Sequence, residues 1–381
     1  MAKLKHVALT LLLILGVMGV QAQVTTSSMS GQVTDKENLE VIGASVKATH
    51  TPTGTVYTAI TNVKGQFAIQ GMRVGGPYSV EVSYIGYETR KITGITLQLA
   101  ENTEVNVALG ESAELLSEVV VTGRGTKFNQ MKTGAATNIT SSMIAEMPTV
   151  TRSLTDYTRL SPYGGNGMTF GGSDGRTANF TVDGADFNNN FGLNDGLPAG
   201  GNPISIEAIQ EIQVVVSPFD VRQTNFIGGG VNAVTKSGTN EFQGTAYVYH
   251  QNENMRGSSI DGEQITTARD KDRKTTYGFT LGGPIIKNKL FFFANYEGDK
   301  IPTQVVRWRA VGVANADDYQ SRVLPSEMQT ISNFVKNKYG YDTGSWTDFP
   351  ADKSDNRFMV KLDWNINNDH RVALRYNYAK N

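Results

Sequence analysis

The chain has 381 residues, and its 35 Lys and Arg nearly balance its 36 Asp and Glu, which gives a formal net charge of −1. This balance excludes a globally basic nucleic-acid-binding protein and an acidic disordered chain. Cysteine is absent, which excludes a disulfide framework, a thiolate metal site and a cysteine nucleophile. The 40 glycines and a charged fraction of only 19% favour strands and tight turns, so we expect a mainly β protein.

Residues 1–22 are predicted to be a secretory signal peptide. Lys3 and Lys5 precede an apolar run at 7–20, and the small residues that follow allow cleavage after Ala22. As a helix this run would reach only about 21 Å, short of a hydrocarbon core of roughly 30 Å, which disfavours the alternative of a transmembrane anchor. We therefore expect the mature protein outside the cytoplasm. No later apolar run is long enough for a spanning helix, so any membrane span must consist of strands.

Residues 27–110 are predicted to form a small β-sandwich. Apolar and polar residues alternate at 66–70, 78–84 and 105–109, and glycines punctuate these runs at intervals of about ten residues. Such a pattern is typical of short strands joined by turns. A rigid spacer is favoured as its role over a carbohydrate- or protein-binding module.

A short β-prone segment follows the sandwich and comprises Glu118, Val119, Val120, Val121, Thr122 and Gly123. It is either an interdomain strand or an exposed edge with which another protein pairs, because a free strand presents unpaired N–H and C=O groups. The periodicity leaves both alternatives open. The chain up to residue 236 then mixes helical and strand patterns, which predicts an α+β region with helices at 141–147, 150–160 and 204–209 and strands at 179–183, 212–216 and 231–235.

Polar side chains in this α+β region form one candidate binding loop, made of Asp183, Asp186, Asn188 and Asn190. Their spacing lacks the turning glycine of a calcium loop, so a ligand-facing loop or Asn-rich turns are favoured over a metal site. A Gly-x-Ser-x-Gly match at 171–175 has no His in a recognisable triad context, and no phosphate-binding loop occurs. We predict no catalytic residue, cofactor or metal site, and hence no enzyme.

From residue 241 onward the sequence predicts long amphipathic strands. Apolar and aromatic residues alternate with charged and amide residues on either side of a turn at 367–369. Strands of about nine residues, joined by a tight turn on one side and a long loop on the other, are typical of an outer-membrane barrel. The alternative is the wall of a soluble sandwich with one wet face. The predicted strands are 242–250, 275–282, 289–297, 303–310, 357–365 and 371–379.

Two long segments between these strands, 251–274 and 311–356, are expected to be extracellular loops. Tyr339 and Trp346 in the second loop are available for stacking on a ligand. These residues do not identify the ligand.

Several of these motifs resemble known families. The runs at 65–69 and 78–87 resemble the carboxypeptidase regulatory-like domain, which implies a transthyretin-like sandwich without peptidase activity. Four further segments resemble the plug of a TonB-dependent outer-membrane receptor: 118–123, 180–184, 206–214 and 228–238. The preceding sandwich, together with residues 242–247, resembles the Oar-like branch of that family. That family folds as a barrel of roughly 22 strands with a plugged lumen.

The resemblance implies a transthyretin-like β-sandwich at 27–110, an α+β plug with its TonB box at 117–236, and the first strands of an incomplete antiparallel outer-membrane β-barrel at 241–381. Glu118 to Gly123 would be the TonB box, to which the periplasmic partner TonB adds a strand. Uptake of an unidentified ligand would be energised by the inner-membrane proton motive force. Outer-membrane lipid surrounds such a barrel, the sandwich and plug lie on its periplasmic side, and a surface lipoprotein is a candidate partner.

The strand count departs from the family pattern. The six predicted strands are about sixteen short of a closed family barrel, and open strand edges are not tolerated in lipid. We therefore expect an N-terminal portion of a longer protein that transports nothing by itself. The alternatives are an outer-membrane adhesion or assembly protein on the same scaffold without active uptake, and a secreted multi-sandwich binding protein.

Overall fold

The computed structural model describes residues 24–111, 119–122, 135–147, 149, 152–188, 197, 202–218, 223–255, 257–264, 273–302, 310–311, 321–344, 353–368 and 370–380. Several predicted features lie outside these residues: the signal peptide with Ala22, the terminal box residues Glu118 and Gly123, Asn190, Trp346, and the strand predicted at 303–310 except for its last residue.

Two sheets form the N-terminal sandwich. One has the order β4–β1–β7, with β8 also pairing with β1, and the other has the order β3–β2–β5–β6–β9. The strands are β1 (Ser27–Thr34), β2 (Ser45–His50), β3 (Thr55–Ile60), β4 (Gln66–Met72), β5 (Gly75–Ser83), β6 (Arg90–Leu97), β7 (Asn102–Glu104), β8 (Val107–Ala108) and β9 (Val119–Thr122).

Strand β5 shows why this sequence folds as a sandwich. Tyr78, Val80 and Val82 are fully buried, whereas Ser79 and Glu81 between them remain partly accessible to solvent. Burying alternate apolar side chains between two sheets is the main favourable term for such a domain. The alternation predicted a half-buried strand here, and the sandwich is confirmed.

The central region, residues 135–235, is an α+β layer. Its sheet has the order β10–β13–β14–β11–β12, in which β11 and β14 pair in parallel and the other pairs are antiparallel. Its elements are β10 (Ala135–Thr140), α1 (Ser141–Glu146), α2 (Leu154–Thr158), β11 (Asn179–Val182), β12 (Ala185–Asp186), β13 (Ile209–Ser217) and β14 (Gly230–Thr235).

Local signals set the helix limits in the central region. Ser153 caps α2, and its backbone N–H donates to the Asp156 carboxylate, so the helix starts at Leu154 and not at the predicted residue 150. The predicted helix at 204–209 is only the single 3₁₀ turn Ile206–Ala208, because β13 begins directly after it.

The C-terminal sheet has the order β15–β18–β19–β20–β21. A small separate hairpin, β16–β17, lies in the first predicted loop. The elements are β15 (Gln243–Gln251), β16 (Ser259–Ile260), β17 (Glu263–Gln264), β18 (Lys274–Ile286), β19 (Leu290–Ile301), α3 (Pro325–Tyr339), β20 (Lys353–Asn365) and β21 (Arg371–Lys380).

The chain divides into two compact units. The first contains the sandwich, the central region and residues 281–294 and 359–376, and the second contains residues 244–280, 295–358 and 377–381. The strands of the C-terminal sheet run through both.

The two faces of the C-terminal sheet have opposite character. In β20, Arg357, Lys361 and Asp363 are buried, whereas Trp364 is 49% exposed. In β21, Tyr376 is 60% exposed. On these two strands charged side chains therefore face inward and Trp364 and Tyr376 face outward, as the predicted barrel wall requires, although Met359 of β20 also faces inward.

A helix occupies part of the segment predicted to be loop at 311–356, and this corrects the prediction. Pro325 stands at the first helical position of α3, the Leu324 N–H donates to Glu327 Oε2 at 2.9 Å, and Gly340 ends the helix with φ of 66°. Tyr339, its last residue, is exposed. No helix among the described residues has both the length and the apolarity needed to cross a bilayer.

Candidate functional site

The predicted partner-binding segment forms the terminal strand of a sandwich sheet. Strand β9 runs parallel to β6, with Cα partners Arg90↔Val119, Lys91↔Val120, Ile92↔Val121 and Thr93↔Thr122. Among the described strands, β9 has no neighbour on its other edge. The segment is therefore a paired interdomain strand that still presents one open edge.

The pairing of β9 with β6 is energetically marginal. A ladder of four residues gains about 1 kcal/mol net for each hydrogen bond. Ordering each residue of a strand costs about 1–2 kcal/mol. Because the two terms are similar in size, main-chain pairing by itself contributes little net stability to β9 in this position.

The loop that follows β6 is fastened to the central region. The Leu99 N–H donates to Glu211 Oε1 at 2.8 Å, and the Leu99 carbonyl accepts from Gln213 Nε2 at 2.7 Å and from Asn138 Nδ2 at 3.0 Å. The side chains of Glu211 and Gln213 are buried. This Leu99 clamp holds the sandwich, and with it β6, against the central region.

A charged cluster, which we call the Asp183 cluster, joins the central region to the C-terminal sheet. Arg375 Nη1 donates to Asp183 Oδ2 at 3.0 Å, and Lys361 Nζ lies 3.6 Å from the same oxygen. The backbone N–H and the hydroxyl of Thr235 donate to the two carboxylate oxygens at 2.8 and 2.6 Å. Lys361 also donates to Thr235 Oγ1 at 3.1 Å.

Backbone conformation aims Asp183 into this cluster. Asp183 and Gly184 have φ of 46° and 79° and form the two-residue turn between β11 and β12, for which an Asp-Gly pair is well suited. Burial by itself would raise the pKa of Asp183, but Lys361, Arg375 and the Thr235 hydrogen bonds outweigh it and lower the pKa. Asp183 is therefore ionised at neutral pH and forms ion pairs with two cations.

The other candidate loop residues have different surroundings. Asp186 is exposed, and its Oδ1 accepts from the Asn188 N–H at 2.7 Å. Asn188 turns back onto β11: its Oδ1 accepts from the Phe180 N–H at 2.6 Å and its Nδ2 donates to Asn179 Oδ1 at 2.7 Å. The structure thus gathers Asp183 and Asn188 into internal contacts and leaves Asp186 accessible.

A cavity of about 540 Å³ lies between the sandwich, the central region and the ends of β20 and β21. Arg73 Nη2 lies 3.4 Å from Asp363 Oδ1, and the Arg371 guanidinium stacks 4.0 Å above the centre of the Tyr57 ring. His50 lines the same cavity, and burial followed by repulsion from Arg73 lowers its pKa to about 3. The ends of the two strands are thus held on the sandwich by charged and aromatic contacts.

Sequence reasoning missed Thr235, Lys361 and Arg375 as partners of Asp183. The alternation in β20 and β21 shows that Lys361 and Arg375 face inward. It does not show which residue they contact, because their partner Asp183 lies far earlier in the chain, 192 positions before Arg375. Among the described residues, no group of three or more His, Asp or Glu is arranged to hold a metal ion.

Comparison with known proteins defines the class. The profile of the outer membrane beta barrel domain matches residues 234–318, and that of the carboxypeptidase regulatory-like domain matches residues 28–110. The chain therefore contains one segment that is similar to an outer membrane beta barrel domain and another that is similar to a carboxypeptidase regulatory-like domain.

The relatives make the class more specific. The chain is 26% identical over 377 residues to the TonB-dependent transporter Oar of Myxococcus xanthus, an alignment that covers 94% of this chain and 34% of that protein. The chain thus spans about a third of the length of this curated relative. The resemblance to Oar-like TonB-dependent outer-membrane receptors, predicted from the sequence, is confirmed.

Solved structures with similarity to the chain include a siderophore receptor and an outer membrane transporter. The siderophore receptor PirA from Pseudomonas aeruginosa has 16% identity and a TM-score of 0.39, over 65% of this chain and 34% of that chain. The outer membrane transporter YddB from Escherichia coli has 14% identity and a TM-score of 0.44, over 64% and 33%. These relatives are named as transporters or receptors.

Proposed function

We propose that the protein acts as a TonB-dependent receptor that takes up a ligand across the outer membrane, with energy from the inner-membrane proton motive force. The central region is the plug, and Glu118 to Gly123 is the TonB box. The observation that carries this proposal is the similarity to the transporter Oar along almost the whole chain.

The position of β9 supports the assignment of the box. An outer membrane has no nucleotide supply and leaks ions, so uphill uptake needs a mechanical connection to the inner membrane. Strand addition provides one, because it depends on extended backbone more than on particular side chains. β9 is a β-branched strand between the sandwich and the central region, and one of its edges is open.

The Asp183 cluster supports the assignment of the plug. Asp183 and Thr235 belong to the central region, whereas Lys361 and Arg375 belong to strands of the barrel domain. A plug must stay seated until it is pulled, and the ion pairs and hydrogen bonds of this cluster contribute to holding it there. In this proposal Asp186 remains the accessible described residue of the candidate ligand loop, to which Asn190 is also assigned from the sequence.

The test is binding of the periplasmic domain of TonB from the same organism to the protein in detergent micelles. Successive residues of a strand direct their main-chain groups to opposite edges, so a chain carrying both Val120→Pro and Val121→Pro lacks an N–H on each edge. We expect this variant to lose TonB binding by at least about tenfold.

The matched control carries Val120→Thr and Val121→Thr, which keep the β-branched side chains and every N–H. We expect it to bind like the unmodified protein. Equal binding by the proline and threonine variants contradicts the box assignment. No binding by the unmodified protein favours the adhesion or assembly protein without active uptake.

A further inference from the structure

We propose that the edge of β6 is a resting site for the TonB box, and that TonB engages the box only after it has left β6. This inference rests on the proposed function, because it assumes that Val119–Thr122 is the segment that TonB binds. It gives the sandwich a specific role, which is to control access to the box.

The first observation is the register of the pairing. β9 covers only the first half of β6, opposite Arg90 to Thr93, and the other edge of β6 is occupied by β5 over the same residues. The first half of β6 therefore has one edge available for a further strand, and the box fills it. When the box leaves, Arg90 to Thr93 become an open edge to which the same segment can return.

The second observation is that the resting site is itself immobilised. The Leu99 clamp lies two residues beyond the end of β6 and fastens it to buried Glu211 and Gln213. A box paired with β6 is therefore held close to the central region. TonB approaches from the inner membrane, so a docked box cannot move toward it.

Chain length sets how far a released box can travel. Eight residue steps separate Glu111, the last described residue of the sandwich, from Val119. A chain spans at most about 3.3–3.6 Å per residue, so the box can reach about 25–30 Å from Glu111 once it leaves β6. Release also frees the main-chain groups on the β6-facing edge of the box, so that either edge is available to the partner.

A disulfide tests the resting site directly, because the chain has no cysteine of its own. Lys91 and Val120 are Cα partners, and neighbouring strands lie about 4.8 Å apart, within the range that a disulfide bridges. The variant carries Lys91→Cys and Val120→Cys. The control carries Lys91→Cys and Thr122→Cys, a pair that is two residues out of register and about 8 Å apart.

We expect the in-register pair to form a disulfide in isolated outer membranes and the out-of-register pair to remain reduced. With the disulfide formed, binding of the periplasmic TonB domain should fall by at least about tenfold, and a reducing agent should restore it. Lys91→Cys alone, which lies outside the box, should bind like the unmodified protein, and the reduced double variant is the reference for the oxidised one.

Two results overturn the resting site: failure of the in-register pair to cross-link, and equal TonB binding by the oxidised and reduced forms. Neither touches the proposed function, provided that the reduced protein binds TonB. Absence of binding by both the reduced variant and the unmodified protein contradicts the proposed function. The resting site is then contradicted as well, because it assumes that TonB binds the box.

Discussion

The N-terminal sandwich and the C-terminal sheet share one sequence period but bury opposite kinds of side chain. In β5 the apolar residues Tyr78 and Val80 are fully buried. In β21 the apolar residues Val372 and Leu374 are 51% and 65% exposed, and Arg375 lies on the inward face. A period of two determines only that neighbouring side chains point in opposite directions. The medium outside each sheet determines which face is apolar, and outside the wall of an outer-membrane barrel that medium is lipid.

The buried charged side chains on the inward face of the C-terminal sheet need ionic and hydrogen-bond partners, whereas the apolar side chains of the sandwich core do not. Arg357 Nη1, for example, donates to Glu297 Oε1 at 2.8 Å and to Asp299 Oδ2 at 2.9 Å. All three residues are buried. Removal of one member of such a set leaves a charge without its counter-charge, whereas a trimmed apolar core leaves only a cavity. Three experiments sharpen this comparison, from the largest expected effect to the smallest.

A charge on the outward face of the C-terminal sheet should have the largest effect. We expect Leu374→Arg to destabilise the assembled protein by about 2–4 kcal/mol, because arginine near the bilayer midplane carries that penalty. The measurement is the fraction of heat-modifiable protein in outer membranes. Leu39→Arg is the matched control, since Leu39 is 58% exposed on the sandwich, where water surrounds it. Equal losses for the two variants would contradict the assignment of a lipid-facing surface.

Removal of the negative charge of Asp183 should have the second-largest effect on stability. Asp183→Asn leaves Lys361 and Arg375 beside each other without a counter-charge, which we expect to cost about 2–3 kcal/mol in urea unfolding. The pKa of Asp183 is lowered in the folded protein, so its ionised form stabilises the fold above the ordinary aspartate pKa of about 4. The difference between the two proteins should thus be constant above about pH 5 and shrink as the pH falls below about 4.

Asp186→Asn serves as the control for Asp183→Asn, because Asp186 lies on the same hairpin but is exposed. We expect it to change stability by less than about 0.5 kcal/mol. A difference between wild type and Asp183→Asn that grows on acidification would show that the carboxylate does not stabilise the cluster.

The pH dependence of the sandwich should give the smallest effect. The pKa of His50 is about 3 in the folded protein and about 6.5 in an unfolded chain, so only the unfolded chain gains a proton between these values. Acidification from pH 7 to pH 5 should therefore destabilise the sandwich by about 2 kcal/mol. His50→Gln should remove this part of the slope, as followed by thermal unfolding. If His50→Gln left the pH dependence of stability unchanged, the imidazole of His50 would not be shielded from water.

Local pattern was enough to predict the β architecture. Alternation around Trp364 and Tyr376 predicted both the strands and their outward faces. Each strand shows this alternation in its own residues, so no contact with a distant segment has to be known. The helix α3 was missed although Met328, Ile331 and Val335 recur at helical spacing, and none of its residues is buried. Pro325, Glu327 and Gly340 were the available signals, and together they are typical helix-terminus residues.

Contacts between distant segments were beyond the reach of the sequence. The Val119–Thr122 segment was predicted to be a strand, but nothing in it designates β6 as its neighbour, since main-chain pairing carries no side-chain code. The same holds for the Leu99 clamp, which joins positions more than 110 residues apart. Such contacts depend on the packed arrangement of whole sheets, which a single sequence does not display.

The apolar core of the central region includes Phe293 of β19 and Met359 of β20. Both are almost fully buried, so this core is completed by side chains that its own segment of chain does not encode. A chimera that exchanged residues 135–235 between two proteins would therefore have to transfer positions 293 and 359 as well. The central region and the side chains at positions 293 and 359 therefore have to be exchanged together.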